Sequence, residues 1–125
     1  MRVMWAWVVG GIGIGTSALA ADIPLVGGYG TPAGCAVEAA SPDRPEGETT
    51  AVSSSRVRFE GMICPYTGIT ELSPGAWEAT ISCARGHEEQ VPGTLRITED
   101  EAAGSVSIEV VSGIGPEGVF EACSS

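Results

Sequence analysis

Four cysteines are the residues of this sequence best placed to do chemistry: Cys35, Cys64, Cys83 and Cys123. Their spacings of 29, 19 and 40 residues contain no Cys-x-x-Cys pair, which zinc sites and thioredoxin-like redox centres commonly use. An even number of cysteines in a short exported chain instead predicts two disulfide bonds. Each disulfide would stabilise the fold by about 2–4 kcal/mol, so we interpret these cysteines as structural rather than nucleophilic.

The only histidine is His87, so any imidazole chemistry would depend on it. The stretch Gly86-His87-Glu88-Glu89 begins like the His-Glu-x-x-His motif of metalloproteases, but Val91 stands where that motif needs its second histidine. A Gly-x-Ser-x-Gly elbow, which would supply a serine nucleophile, is also absent from the sequence. We therefore interpret His87 as a surface turn residue and predict no catalytic site.

Carboxylates cluster at Glu88–Glu89 and at Glu99-Asp100-Glu101. Glycosidase chemistry needs two carboxylates about 5–10 Å apart across a sugar cleft, and this chain has few aromatic residues to stack sugar rings. Calcium needs clustered oxygen ligands, but the sequence has no Asp-x-Asp-x-Asp-Gly loop and no Asn. We therefore predict no metal and no cofactor, and interpret the clusters as solvated hairpin turns. His87, Glu88 and Glu89 form the candidate interaction surface.

The charge of the chain limits its partners. The chain has sixteen acidic residues and six basic residues, all arginines. Its formal net charge is therefore −10, or −11 if Arg2 is removed with a leader. Nucleic acids and anionic membranes are disfavoured, because their binding depends on cationic residues. A cationic protein or a small ligand is compatible with this charge, although an acidic surface also simply keeps an exported protein soluble. The sequence does not indicate an oligomeric state.

The first twenty residues are predicted to be a cleaved secretory signal peptide. Arg2 precedes the uncharged, mostly apolar run Val3–Gly15, and Ala18-Leu19-Ala20 places small residues where a signal peptidase reads. A retained membrane anchor is disfavoured, because the run is glycine-rich and shorter than a spanning helix of about 20 residues. The expected product is one domain of residues 21–125, periplasmic or secreted, with no stable membrane association after cleavage.

Apolar residues at every second position predict β-strands along this domain. The clearest case is Trp77–Cys83, where Trp77, Ala79, Ile81 and Cys83 share one face. Further strands are predicted over 23–29, 49–52, 56–60, 67–72, 94–98, 106–110 and 119–123, with no helix of three turns. Seven or eight short strands separated by turns predict an all-β domain. A small up-and-down antiparallel barrel is our first choice, and a β-sandwich is the alternative.

Four cysteines allow three disulfide pairings. Gly61 to Cys64 follows the predicted strand 56–60, and Pro65 interrupts the chain there. In an up-and-down meander, Cys35 after strand one and Cys64 after strand three would then lie at the same end. We therefore favour the pair Cys35–Cys64, which leaves Cys83–Cys123 by elimination.

Several short motifs accompany the cysteines: Tyr29-Gly30, Gly34-Cys35, Phe59 to Cys64, Cys83-x-x-Gly86-x-Glu88 and Phe120-x-x-Cys123. This arrangement resembles that of small, mostly uncharacterised four-cysteine exported proteins of Gram-negative bacteria. The chain departs from their pattern by an extra residue after Cys83 and by two residues, rather than one, before Cys123. The resemblance implies a small lipocalin- or avidin-like β-barrel, and it implies no catalytic residue.

The predicted function is that of a non-enzymatic periplasmic or secreted binding protein. Three alternatives stay open. The first is a lysozyme-type inhibitor that acts on a basic enzyme. The second is a carrier of a small ligand, with a barrel cavity lined by residues such as Phe59, Trp77 and Ile97. The third is a small hydrolase that uses the glutamate pairs and His87.

Overall fold

The computed structural model describes residues 22–42, 45–86 and 88–123. The described residues form helix α1 and strands β1 to β8: α1 Pro32–Glu38, β1 Tyr29–Gly30, β2 Ala51–Val52, β3 Arg56–Phe59, β4 Met62–Ser73, β5 Ala76–Cys83, β6 Val91–Asp100, β7 Ser105–Gly113 and β8 Gly118–Ala122. Consecutive strands pair antiparallel, and β8 pairs with β1 to close a barrel. The predicted up-and-down barrel is therefore confirmed over the sandwich. In these ranges no helix is long and apolar enough to cross a membrane.

The predicted signal peptide at residues 1–20 and the side chain of His87 lie outside the described residues. Both assignments therefore stay predictions.

Side chains at alternate positions fill the interior of the barrel. On β5, Trp77, Ala79, Ile81 and Cys83 are all at most 5% exposed, as the period-two pattern predicts. The other strands contribute further buried residues: Val57, Phe59, Cys64, Tyr66, Leu95, Ile97, Val106, Ile108 and Phe120. Burying one large apolar side chain stabilises the fold by about 1.5–3 kcal/mol, so this packed interior is the main source of stability.

Residues 22–28 cover one end of the barrel instead of forming the predicted first strand. Only Tyr29 of the predicted 23–29 strand belongs to β1. Pro24 lacks an N–H and Gly27 has a φ of +79°, so neither suits a regular ladder. Ile23 and Leu25 are instead buried, and the Ile23 N–H donates to the Ser54 carbonyl at 2.7 Å. This end, which also carries turns 53–55, 74–75 and 101–104, is called the first end below.

Helix α1, of seven residues, was not predicted from the sequence. The Thr31 hydroxyl accepts a hydrogen bond from the Gly34 N–H at 3.0 Å, and Pro32 occupies the first helical position, a pattern typical of helix starts. A Cβ atom on Gly34 would lie 2.0 Å from the Thr50 carbonyl oxygen, so the glycine allows the helix to pack against the barrel. At its other end, Glu38 forms an ion pair with Arg58 at 2.6 Å on β3.

Strand β4 runs through Pro65 without a break, contrary to the predicted interruption. Pro65 lies opposite Arg56, the first residue of β3, so the ladder between the two strands ends there. From Tyr66 onward, β4 pairs with β5. A proline at the end of one ladder removes little hydrogen bonding, which explains why the strand tolerates it.

The disulfides are Cys35–Cys123 and Cys64–Cys83, so the predicted pairing was wrong. Because β4 is continuous, Cys64 lies on the strand next to the one that carries Cys83, rather than at the end of the barrel with Cys35. Cys123 follows β8 beside β1, where its N–H donates to the Gly28 carbonyl at 2.8 Å and its side chain reaches α1. Two disulfides indicate an oxidising, extracytoplasmic compartment.

Candidate functional site

An open depression of about 590 Å³ lies at the first end of the barrel. Four carboxylates border it, from Glu71, Glu99, Asp100 and Glu101. The remaining lining residues are Pro24, Pro74, Gly75, Trp77 and Thr98. We call this feature the acidic depression.

Two hairpins bring these carboxylates together. The Ser73-Pro74-Gly75 stretch turns β4 into β5, and the φ of +85° at Gly75 is typical of the third position of a type II turn. The Gly75 carbonyl accepts a hydrogen bond from the Glu99 N–H at 2.8 Å, which joins this turn to the end of β6. In a meander, alternate turns share one end of the barrel, so residues 71 and 99–101 meet there.

Tyr29, which is buried, contacts Glu99, one of the residues that line the acidic depression. The Tyr29 hydroxyl donates to Glu99 Oε2 at 3.2 Å. Burial raises the pKa of Tyr29 above its ordinary value, and the hydrogen bond to Glu99 and the negative charges of Glu99 and Glu101 raise it further. All three causes disfavour the phenolate, so Tyr29 stays a neutral donor that orients the Glu99 carboxylate.

Asp100 stabilises the turn that follows β6. Its Oδ1 atom accepts a hydrogen bond from the Ala103 N–H at 3.1 Å, and its carbonyl accepts one from the Gly104 N–H at 2.9 Å. The Glu99–Glu101 cluster is therefore part of a hairpin, as the sequence suggested. Nowhere in the described ranges do three His, Cys, Asp or Glu side chains converge in a way that could hold a metal ion.

The four arginines of the described ranges are engaged away from the acidic depression. Arg56 and Arg58 pair with Glu38. Arg96 lies 3.6 Å from a Glu78 oxygen on the outside of the barrel, and the Arg85 guanidinium donates to the Glu60 carbonyl at 2.6 Å.

As a result, no ion pair to Glu71, Glu99, Asp100 or Glu101 is found in the part of the chain that the structure describes. The surface here is strongly negative. Within about 10 Å, at ordinary ionic strength, it attracts cations.

Of the predicted surface, Glu88 and Glu89 lie in the β5–β6 connection at the opposite end of the barrel, and His87 lies outside the described residues. Glu88 and Glu89 are exposed, and the Glu88 N–H donates to the Arg85 carbonyl at 3.2 Å. Neither glutamate lines the acidic depression. A role for this surface stays a prediction.

Sequence reasoning noticed residues 99–101 but missed their neighbour Glu71. The available signal was the order of turns: the β4–β5 and β6–β7 turns must share an end in any up-and-down meander.

Two other depressions lie on the outside of the barrel. One, of about 530 Å³, runs between α1 and β8 and is lined by the Cys35–Cys123 disulfide, Pro32 and Ala36. The other, of about 500 Å³, lies at the opposite end beside Met62 and Ile114. The second is also lined by Phe59, a buried residue of the barrel interior. The ligand-carrier alternative stays a prediction.

Comparisons of this chain with protein-family models, with curated proteins and with solved structures found no match.

Proposed function

We propose that this protein is a non-enzymatic binding protein, periplasmic or secreted, that docks a cationic protein at the acidic depression. The observation that carries the proposal is the separation of charge described above. Four carboxylates border one depression and pair with no described arginine, while each described arginine is engaged elsewhere. Complementary charge accelerates association and selects partners of opposite sign. The two disulfides support an extracytoplasmic location.

Docking of a rigid protein surface fits this molecule better than enclosure of a small ligand. The barrel interior is filled by its own side chains, and the acidic depression is open. The turns around it are fixed by backbone hydrogen bonds such as Glu99 N–H to Gly75 O. A preformed surface loses little conformational entropy when a partner binds.

Affinity capture from a periplasmic extract tests the proposal. The exported, oxidised protein is immobilised beside a variant with Glu71→Gln, Asp100→Asn and Glu101→Gln, which keeps side-chain size but removes three charges. A matched control carries Glu88→Gln and Glu89→Gln at the opposite end. We expect the wild type and the control to retain the same basic proteins at low salt, and the triple variant to lose them. Equal capture by the triple variant would contradict the proposal.

A lysozyme-type inhibitor is the second candidate function. The lysozymes that such an inhibitor would act on are basic, and the acidic depression supplies the opposite charge. The test is the rate of cell-wall lysis by a basic lysozyme with excess exported protein. An unchanged rate would remove this candidate while leaving other cationic partners open.

A further inference from the structure

Strand β4 extends past the strand that pairs with its outer edge. Residues Met62 to Pro65 pair with β3, which begins at Arg56. The Tyr66 N–H still donates to the Ser55 carbonyl at 3.3 Å, but the chain then turns away toward β2. Beyond Tyr66, β4 pairs only with β5. In the described part of the chain, the other edge of residues 67–73 has no backbone partner.

This free edge is also exposed to solvent. Thr67, Thr70 and Glu71 are exposed, and Leu72 is 47% exposed. Register shifts lie on both sides of the stretch Gly68–Glu71, which pairs regularly with β5. A regular stretch of this kind presents backbone N–H and C=O groups at strand spacing, which is a template for another strand.

Strand β7 also extends past its partner β8, but there side chains and a neighbouring segment cover the unpaired edge. Beyond Ile108, β7 has no further pairing with β8. There the Glu117 carboxylate accepts a hydrogen bond from the Val110 N–H at 3.2 Å, and Gly115 packs against Leu95. No comparable side chain covers the free edge of Gly68–Glu71 among the described residues; the one side-chain hydrogen bond there is from Thr80 on β5.

We propose that an extended segment of a cationic partner protein adds to the barrel as an extra strand along Gly68–Glu71. Strand addition supplies main-chain hydrogen bonds for affinity, and neighbouring side chains supply specificity. Glu71 belongs both to this edge and to the acidic depression, so the added segment leads directly toward Glu99, Asp100 and Glu101. This placement favours lysine or arginine in the segment.

Charge complementarity also decides against a second copy as the occupant. A second copy would offer no cation to Glu71, because its own edge residues 67–73 contain neither lysine nor arginine. The proposal rests on the proposed function and adds to it the mode of binding.

A defined peptide tests strand addition. The probe is the peptide (Lys-Val)4, and the matched peptide is N-methylated at every residue, so that it keeps the charges but has no backbone N–H donor. Amide hydrogen exchange of the exported protein is measured with each peptide. We expect the first peptide to slow exchange within residues 67–73 by about tenfold or more at saturation, and to leave the paired stretch Val106–Ile108 unchanged. The methylated peptide is expected to bind at least about tenfold more weakly, because several hydrogen bonds are lost.

The outcomes separate strand addition from charge-driven docking. If both peptides bind equally and both lose affinity in the Glu71→Gln, Asp100→Asn, Glu101→Gln variant, strand addition is wrong and the acidic docking surface stands. If neither peptide binds, or if protection falls outside residues 67–73, strand addition is overturned. The capture experiment then decides the proposed function independently.

Discussion

Cys64 lies directly opposite Cys83 on neighbouring strands, with their Cα atoms 4.3 Å apart. The β4–β5 hairpin starts with Ser73 opposite Ala76, a register that would place Cys64 opposite Arg85. Two register shifts in the hairpin, each worth one residue, bring Cys83 into that position instead. The separation matches that of a non-hydrogen-bonded pair, in which the side chains approach most closely. The two register shifts therefore bring Cys64 and Cys83 opposite each other, and the disulfide in turn holds that register.

The two disulfides are expected to differ in their ease of reduction. Cys64 and Cys83 are fully buried, whereas Cys35 and Cys123 are partly exposed and line an open groove. Thiol–disulfide exchange requires a thiolate to reach a sulfur atom, so mild reductant under native conditions should open Cys35–Cys123 first. Alkylation of the freed thiols followed by peptide mapping checks the order. Labelling of Cys64 and Cys83 before the other pair would contradict it.

The tight contact of α1 with the barrel gives a prediction about Gly34. A Cβ atom there would lie 2.0 Å from the Thr50 carbonyl oxygen, so Gly34→Ala forces the helix outward. We expect this variant to lower the free energy of unfolding by about 1–3 kcal/mol, the usual range for overpacking. Gly28→Ala is the matched control, because its nearest contacts would be at 3.7 Å. Urea denaturation compares the two variants, and an equal effect would refute the proposed contact.

Ionisation of Tyr66 is expected to lower the stability of the fold at alkaline pH. Its hydroxyl donates to the Ser53 carbonyl at 2.9 Å, and burial together with the charge of Asp22 raises the pKa of Tyr66 well above its ordinary value. An unfolded tyrosine ionises near pH 10, so above that pH the unfolded state binds fewer protons than the folded state. The resulting stability is fully present below pH 10 and falls above it by up to about 1.4 kcal/mol per pH unit.

The variant Tyr66→Phe checks this expectation. It loses one hydrogen bond, which costs about 1 kcal/mol at neutral pH, but it should lose less stability than the wild type between pH 10 and 11.5. Urea unfolding at several pH values measures both effects. An identical slope for the two proteins would show that Tyr66 does not cause the alkaline loss.

The barrel could be predicted from the sequence because strand alternation and turn residues are local patterns. Alternation in Trp77–Cys83 reports burial on one face, and Pro74-Gly75 reports a turn. The disulfide pairing depended on information that no local pattern holds: the continuity of β4 through Pro65 and the two register shifts beyond it. The same applies to the acidic depression, since Glu71 and Glu99 become neighbours only through strand pairing. Helix α1 was missed because seven residues with two helix-poor glycine and proline positions carry almost no periodic signal.

The electrostatic field of the acidic depression can be measured through Tyr29. The charges of Glu99 and Glu101 both raise the pKa of Tyr29, and Glu99 adds a hydrogen bond. Removing the Glu101 charge by Glu101→Gln leaves that hydrogen bond in place but should make the phenolate less unfavourable, so the pKa of Tyr29 should fall toward its ordinary value. Ultraviolet absorbance titration, with Tyr66→Phe as the background, reports Tyr29 alone.

Glu89→Gln, at the opposite end of the barrel, is the control and should leave the pKa of Tyr29 unchanged. Added salt should reduce the difference between Glu101→Gln and its parent, because exposed charges are screened over about 10 Å at 0.1 M ionic strength. An unchanged pKa in Glu101→Gln would mean that the carboxylates at this end do not act together on nearby groups. Charge complementarity would then give no support to a cationic partner. Strand addition at the free edge of β4 would still be tested by the peptide experiment.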